Sequence, residues 1–246
     1  MISDKGFFVL LWEFTVRHYD RIFNLMVEHM VISLIALMMT LVVCIPLGIY
    51  LTRNERIAPY VIGVANVFQT IPSLALLGFL IFIFGIGNDN AVFALFLYAM
   101  LPVLQNTYIG IKNVPPSLVQ SARGMGLKDM QILTRVELPL ALPVIIGGVR
   151  VATVWIIGTA ALAAAIGGGG LGRLIFSGLT QIRNEVIFAG AFPATLLALA
   201  GDQGLKALRH HLRPEKRAKR IARRERRYEH KLKLKQHQAL TAENAE

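Results

Sequence analysis

Cysteine is almost absent from this 246-residue sequence, and so are the patterns that usually hold a metal or a nucleotide. The one cysteine, Cys44, has no partner within the chain, which excludes an internal disulfide and a cysteine-based zinc site. The six histidines show no metal-ligand spacing, and no G-x-x-x-x-G-K-[ST] segment is present to cradle ATP phosphates. We therefore expect no metal, no cofactor and no covalent chemistry in this chain.

Charged residues are absent from three long segments, 30–51, 58–85 and 91–111. About 20 apolar residues are enough for a helix to cross the hydrocarbon layer of a membrane. Each segment is therefore predicted to be a transmembrane helix, in agreement with a mean hydropathy of +0.54.

Two further apolar segments are interrupted by charge: Arg150 lies within 140–166, and Asp202 lies near the end of 186–208. With them, the sequence predicts an all-α, polytopic membrane protein of about five transmembrane helices. Arg150 either extends its side chain toward the membrane surface or forms an intramembrane ion pair, for which Asp202 is the nearest candidate.

The chain divides into three regions. Residues 1–25 contain no segment long enough to span and are predicted to form an interfacial helix. Residues 26–208 form the transmembrane region, in which the polar loop 112–139 separates the third and fourth spans. Residues 209–246 form a basic tail.

Lysine and arginine are concentrated after alternate spans, with only Arg173 and Arg183 between the fourth and fifth. Arg53 and Arg56 come after the first span, several more come after the third, and fourteen follow from Leu205 onward, whereas the loop between the second and third spans has none. Cytoplasmic loops keep an excess of these residues. We therefore expect the N-terminus outside the cell and the C-terminus in the cytoplasm.

The basic tail holds most of the net charge of +11. It either lies on anionic lipid headgroups, which would contribute about 1 kcal/mol per Lys or Arg near the surface, or is a solvated tail that fixes topology. Both interpretations fit the sequence. Nucleic acid is not an expected partner, because Tyr228 is the only aromatic residue there on which a base could stack.

The polar loop 112–139 contains three short motifs at fixed spacing: Gln120-Ser121-Ala122, then Gly126, then Val136-Glu137-Leu138-Pro139. It resembles the signature loop of binding-protein-dependent ABC importer permeases, which reads E-A-A, three residues, Gly, nine residues and I-x-L-P. Gln replaces Glu, Ser replaces the first Ala, and Val replaces Ile. The resemblance implies a helix, a turn and a second helix that dock into a cleft on an ATPase subunit. It assigns this ATPase-coupling role to Gln120, Ser121, Ala122, Gly126, Leu138 and Pro139.

The residues of the loop give the same expectation without the family. Ser117 is expected to cap the first helix, and Leu118, Ala122 and Met125 recur at helical spacing to make a small apolar face. Such a face suits binding in the groove of a soluble partner. An amphipathic helix lying on the bilayer is the alternative.

Four further segments extend the resemblance over most of the transmembrane region: 66–77, 97–111, 147–153 and 166–172. They are similar to the osmoprotectant branch of these permeases, which serves glycine betaine, carnitine and choline. The methionine-importer permeases share the five-helix plan and a similar glycine run, so an amino-acid importer is the alternative function. A membrane anchor that acts through its basic tail is a more distant one.

The resemblance also implies partners and location. It predicts the type I, methionine-permease-like fold of ABC importers, located in the inner (cytoplasmic) membrane. The chain would pair with a second copy or a sister permease, bind an ABC ATPase dimer that uses ATP and Mg²⁺, and receive solute from an extracytoplasmic binding protein.

The second span contains a proline among polar residues. Pro72 cannot donate an N–H to the carbonyl of Phe68, and Asn66, Gln69 and Thr70 are close in sequence. A kinked helix with polar neighbours is typical of a helix that lines a substrate path. A kink satisfied wholly by helix packing is the alternative.

The glycine run 167–172 fits G-x-G-x-x-G, but it follows a membrane span instead of a β-strand, so it does not predict a dinucleotide site. We interpret it as the flexible start of an outer loop. Glu28 and His29, at the outer edge of the first span, are expected to be solvated at the membrane interface.

Overall fold

The computed structural model describes residues 6–211, and within them all regular structure is helical. The ten α-helices are α1 Phe7–Arg17, α2 Tyr19–Arg53, α3 Ala58–Thr70, α4 Ser73–Phe84, α5 Asn88–Lys112, α6 Pro116–Gly124, α7 Asp129–Ile132, α8 Leu138–Ala160, α9 Gly172–Thr180 and α10 Asn184–His211. A π-helix, Leu133–Glu137, joins α7 to α8, and a 3₁₀-helix, Ala161–Ile166, follows α8. The predicted basic tail lies outside the described residues from residue 212 onward.

Four helical segments in residues 6–211 are long and apolar enough to cross a membrane, namely Tyr19–Arg53, Asn88–Lys112, Asp129–Ile166 and Asn184–Arg209. The bent pair α3 and α4 brings the number to five if it is counted as one span. The prediction of an all-α, polytopic membrane fold is confirmed.

Helix α5 lies at the centre of the bundle, where it packs against α2, α3, α4 and α8. Glycines in its two main neighbours allow the backbones to approach closely. A Cβ atom at Gly48 of α2 would lie 2.8 Å from the Cβ of Thr107, and one at Gly148 of α8 would lie 2.6 Å from the Cβ of Asn106. Larger residues at either glycine would push α2 or α8 away from α5.

The N-terminal region differs from the predicted single interfacial helix over 1–25. The short helix α1 ends at Arg17, and α2 begins at Tyr19, well before the predicted start of the first span at residue 30. Asp20 and Arg21 do not interrupt α2, because both side chains lie on its exposed side. Phe14 of α1 packs in a separate apolar cluster with the first part of α2 and with α9 and α10.

The second predicted span, 58–85, is broken completely where a kink was expected. Helix α3 ends at Thr70, α4 begins at Ser73, and the two axes differ by 105°. Ile71 has an extended backbone, with φ −66° and ψ 131°, because the ring of a following proline disfavours the helical conformation. Pro72 therefore turns the chain sharply.

Candidate functional site

The turn of the polar loop is built around Gly126. Its φ is +82°, in the left-handed region that glycine reaches without steric cost. The N–H of Leu127 donates to the carbonyl of Ala122 (3.2 Å), and the N–H of Gly126 donates to the carbonyl of Arg123 (3.0 Å). These two bonds form a Schellman motif, which ends α6 and reverses the chain.

Two side-chain contacts support this turn. The guanidinium of Arg123 lies 2.9 Å from the carboxylate of Asp129 across the turn, and the side-chain oxygen of Gln131 accepts the N–H of Lys128 at 2.9 Å. Both contacts are exposed, so they stabilise the loop only weakly. The backbone turn at Gly126 therefore determines the shape of the loop.

The first helix of the loop differs from its prediction in two respects. It begins at Pro116 with Pro115 at the N-cap, so Ser117 is not the cap; proline fits the first turn, where its missing N–H has no intrahelical partner to lose. The three predicted apolar residues do not share one exposed face either. Ala122 is buried within the chain, whereas Leu118 and Met125 are exposed.

The other residues of the predicted coupling site lie mostly at the surface of the loop. Gln120, Ser121, Gly126 and Pro139 are exposed, and Leu138 is partly buried. The site thus presents a polar surface flanked by a few exposed apolar side chains.

The second helix of the loop is continuous with the fourth span, from Asp129 to Ile166. Its π-helical segment directly precedes Leu138 and Pro139. Because Pro139 has no N–H for the carbonyl four residues earlier, an ordinary α-helical bond is impossible there, and a wider turn accommodates the ring. The loop is therefore joined to the bundle through one continuous helical segment.

An ion pair connects this helix to the end of α2. The guanidinium of Arg53 donates two hydrogen bonds to the carboxylate of Glu137, one of them 3.2 Å long from Nη1 to Oε1. The Glu137 side chain is 6% exposed and that of Arg53 is 48% exposed. This contact was not predicted from the sequence, in which Arg53 served only as evidence for the topology. The signal was a glutamate beside Leu138-Pro139, where the helix enters the bundle and a buried carboxylate needs a cation.

At the break between α3 and α4, the hydroxyl of Tyr98 donates a hydrogen bond to the carbonyl of Ile71. The hydroxyl of Thr70 donates to the carbonyl of Val67 at 2.8 Å. Helix α5 thus supplies a hydrogen-bond donor to a backbone carbonyl at the break. The sequence did not predict a role for this tyrosine. The contact fixes the position of the break relative to α5.

The predicted pathway residues lie on an uncovered side of this break. Asn66, Thr70 and Pro72 are exposed, and Gln69 is partly exposed. Since Asn66, Gln69 and Thr70 follow helical spacing, they form one polar face of α3. This face is directed away from the core of the chain.

The structure brings Arg150 and Asp202 together. Two hydrogen bonds join the guanidinium to the carboxylate, one of them 2.8 Å long from Nη2 to Oδ2. Of the two possibilities that the sequence left open for Arg150, the structure thus shows the ion pair with Asp202 of α10.

The glycine run is held in place, which corrects the expectation of a flexible loop. The carboxylate of Glu28 accepts the N–H of Gly170 (3.0 Å), and the side-chain oxygen of Asn88 accepts the N–H of Gly169 (2.7 Å). The amide of Asn88 also lies 3.4 Å from Glu28. These contacts fasten the run to the N-terminal third of α2 and to the first residue of α5.

His29 is fully buried, so the expectation that it is solvated at the interface was wrong. Its Nε2 donates to the carbonyl of Ile157 at 3.0 Å. That carbonyl lies one turn before the chain tightens into the 3₁₀-helix at Ala161, where the regular α-helical bonding pattern ends. A Cβ atom at Gly170 would lie 2.9 Å from the His29 ring, so the glycine run covers the imidazole.

Between residues 6 and 211, no cluster of three or more His, Cys, Asp or Glu side chains could hold a metal ion. The thiol of Cys44 is completely buried within the bundle. The arrangement of this part of the chain is thus a helical bundle with a protruding loop, a broken span and several interhelical ion pairs.

Residues 44–217 match the family model described as the binding-protein-dependent transport system inner membrane component. The chain belongs to this family. The matched residues include the polar loop, the broken span and the whole glycine run. As a binding-protein-dependent transport component, the chain is a permease subunit and not an enzyme, and ATP hydrolysis belongs to a separate ATPase.

Two curated members of the family are similar over most of their length. The carnitine transport permease protein OpuCB of Listeria monocytogenes is 45% identical over 195 residues, which cover 78% of this chain and 89% of that protein. The glycine betaine/carnitine/choline transport system permease protein OpuCB of Bacillus subtilis strain 168 is 46% identical over 188 residues, which cover 76% and 87%.

Among solved structures, the MetNI methionine ABC transporter in an inward-facing conformation is similar to this family member. The matched chain of that transporter is 26% identical, with a TM-score of 0.61, and the alignment covers 73% of this chain and 92% of that one. The predicted type I importer fold is thereby confirmed.

Proposed function

We propose that this chain is the transmembrane permease subunit of an ATP-driven importer of quaternary-ammonium osmoprotectants such as glycine betaine, carnitine or choline. The observation that supports this proposal is the 45% identity to a carnitine permease over 78% of this chain. The similarity to the methionine importer is lower in identity and supports a shared architecture. A methionine or other amino-acid importer remains the second candidate.

The loop around Gly126 is the proposed contact with the ATPase. It protrudes from the bundle, its turn has a single defined backbone conformation, and Leu118 and Met125 are exposed beside it. Exposed apolar side chains on a short helix suit a groove in a soluble partner. Closure of an ATPase dimer around ATP and Mg²⁺ would draw two such loops together and rotate the attached helices as rigid bodies.

The polar face of α3 is the proposed lining of the translocation path. Asn66, Gln69 and Thr70 belong to an apolar span yet lie outside the core of the chain. Polar groups within a membrane generally face a water-filled cavity or another protein surface. A second permease copy, or a sister permease, would cover this face and complete the path near the bend at Pro72.

The remaining partners follow from this arrangement. An extracytoplasmic binding protein would select the solute, because the outer loops between the described spans are too short to build an aromatic cage around a quaternary ammonium group. The tail from residue 212 onward is the proposed contact with anionic lipid. Changing its arginines within 217–227 to glutamine should alter activation by ionic strength, and an unchanged salt response would contradict lipid contact.

Uptake of labelled solutes tests the proposed substrate class. The chain is reconstituted in proteoliposomes with its ATPase and its binding protein, and ATP-dependent uptake of choline, carnitine, glycine betaine and methionine is compared. We expect at least one quaternary ammonium compound to be accumulated and methionine to be excluded. Methionine uptake without uptake of the other three would support the amino-acid alternative.

Cysteine labelling tests the proposed orientation, with the N-terminus outside. The native Cys44 is buried, so it gives a low background with a membrane-impermeant maleimide. Met125→Cys and Ile86→Cys place thiols at two exposed positions. We expect Met125→Cys to react only in inside-out vesicles and Ile86→Cys only in intact cells. Labelling of Met125→Cys from outside would overturn the coupling role of the loop.

A further inference from the structure

We propose that Arg53 and Glu137 are positioning residues that attach the coupling loop to the end of α2, so that α2 and the loop move as one unit when the ATPase moves the loop. The inference rests on the proposed docking of the loop on the ATPase. It adds a second mechanical connection to the one through α8.

The burial of Glu137 indicates a fixed contact. Its side chain is 6% exposed, and its carboxylate receives two hydrogen bonds from one guanidinium. A two-point bond between planar groups fixes both their distance and their relative orientation, which a single contact does not. Arg53 is the last residue of α2, so the pair joins the end of that helix directly to the helix of the loop.

The local backbone explains how Glu137 comes to face α2. It is the last residue of the π-helix that precedes Pro139. A π turn includes one more residue than an α turn and therefore rotates the side chains on one side of it relative to those on the other. The proline that defines the family motif thus also determines the direction of this glutamate.

The order of the helices along the chain explains why the ion pair matters for movement of α2 with the loop. The loop continues covalently into α8, but α2 precedes it by three other helices and has no direct covalent connection to it. Helix α2 packs along α5 and α8 through apolar side chains. Such surfaces can slide, whereas the ion pair prevents sliding at the end nearest the loop.

Neighbouring charges provide matched controls. Glu55 forms an exposed ion pair of 2.6 Å with Lys112, and Arg56 is exposed three residues after Arg53. Glu55→Gln and Arg56→Gln remove the same two kinds of charge close to the proposed pair without changing it. An exposed pair contributes little to stability, so both controls are expected to keep normal coupling.

The experiment compares four variants of the complete reconstituted transporter: R53Q, E137Q, the charge swap R53E/E137R and the apolar double variant R53M/E137M. Three quantities are measured: the ATPase retained on the purified permease, the thermal midpoint of the complex, and the amount of solute transported per ATP hydrolysed. We expect each single variant to retain the ATPase but to transport several-fold less solute per ATP than the two controls. The charge swap should restore much of this loss.

The apolar double variant separates positioning from simple stabilisation. Replacing a buried ion pair by apolar side chains is often neutral for stability, because no unpaired charge remains. We expect R53M/E137M to regain the thermal midpoint while its transport per ATP stays low. Recovery of both quantities would show a purely structural role and overturn the proposal, and so would single variants that match the controls.

Gly126→Val in the same assay distinguishes the two proposals. If Gly126→Val uncouples transport and the Arg53 and Glu137 variants do not, only the positioning role fails. If Gly126→Val also leaves ATPase binding and uptake unchanged, the proposed coupling function of the loop fails.

Discussion

The guanidinium of Arg150 and the carboxylate of Asp202 face each other across the contact between α8 and α10 and share two hydrogen bonds. Their side chains are 33% and 17% exposed. Charges within membrane spans are costly unless they are paired. The pair thus allows the fourth and fifth spans to each contain a charge at the same depth.

Neutralising one member of this pair should impair assembly of the transporter. Arg150→Gln or Asp202→Asn leaves the other charge without its partner, and we expect a lower thermal midpoint and a several-fold lower yield of assembled complex by size-exclusion chromatography. The swap R150D/D202R should restore part of the loss, and Gln203→Ala, exposed on the same helix, should have little effect. Normal assembly of both single variants, or no recovery in the swap, would contradict a stabilising pair.

Gly126 and Gly124 allow the backbone requirement of the coupling loop to be tested without a steric effect. A Cβ atom at either position would meet no other atom within 4 Å, but only Gly126 has a positive φ. Gly126→Ala should therefore destabilise the turn by about 1–2 kcal/mol and lower ATP-dependent uptake, with a larger effect for valine. Gly124→Ala should be neutral, since alanine is favourable in a helix. Equal uptake by the two alanine variants would argue against a defined turn.

The glycine run should tolerate alanine poorly where it covers His29. Gly170 has φ +84°, and a Cβ atom there would lie 2.9 Å from the imidazole. We expect Gly170→Ala to lower the free energy of unfolding by at least about 1–2 kcal/mol, measured as a decrease in thermal midpoint. Gly204→Ala, where a Cβ atom has open space, is the matched control. A Gly170→Ala protein as stable as this control would mean that the run is not held as the structure shows.

Removing the Tyr98 hydroxyl should loosen the break between α3 and α4. Tyr98→Phe leaves the carbonyl of Ile71 without this donor, at an expected cost of about 1–3 kcal/mol. The thermal midpoint should fall, and uptake should fall with it because the bend at Pro72 lies beside the proposed path. Tyr60→Phe removes a hydroxyl from an exposed tyrosine and serves as the control. If the two variants have the same thermal midpoint and the same uptake, the hydrogen bond has no role in holding the break.

Much of the architecture follows from local properties of the sequence. The uncharged segments predict the spans, because the cost of placing charge in hydrocarbon acts on each segment independently. Gly126 predicts a turn, because only glycine adopts its backbone conformation freely. Pro72 predicts an interruption of the second span for an equally local reason, the missing N–H. Each inference needs only one residue or one continuous run.

Contacts between distant residues depended on the packing of the helices. Arg53 meets Glu137, Glu28 meets Gly170, and the charges of the fourth and fifth spans meet each other only after several helices have been placed. The burial of His29 could not be predicted from the sequence either. Its sequence neighbour Glu28 is charged, and no local pattern indicates that the glycine run covers the imidazole. The sequence by itself determined which segments are helical and where the chain must bend, because propensity and hydration act locally. The tertiary structure decided which charges pair and which polar side chains are buried, because these depend on how α2, α5, α8 and α10 approach one another.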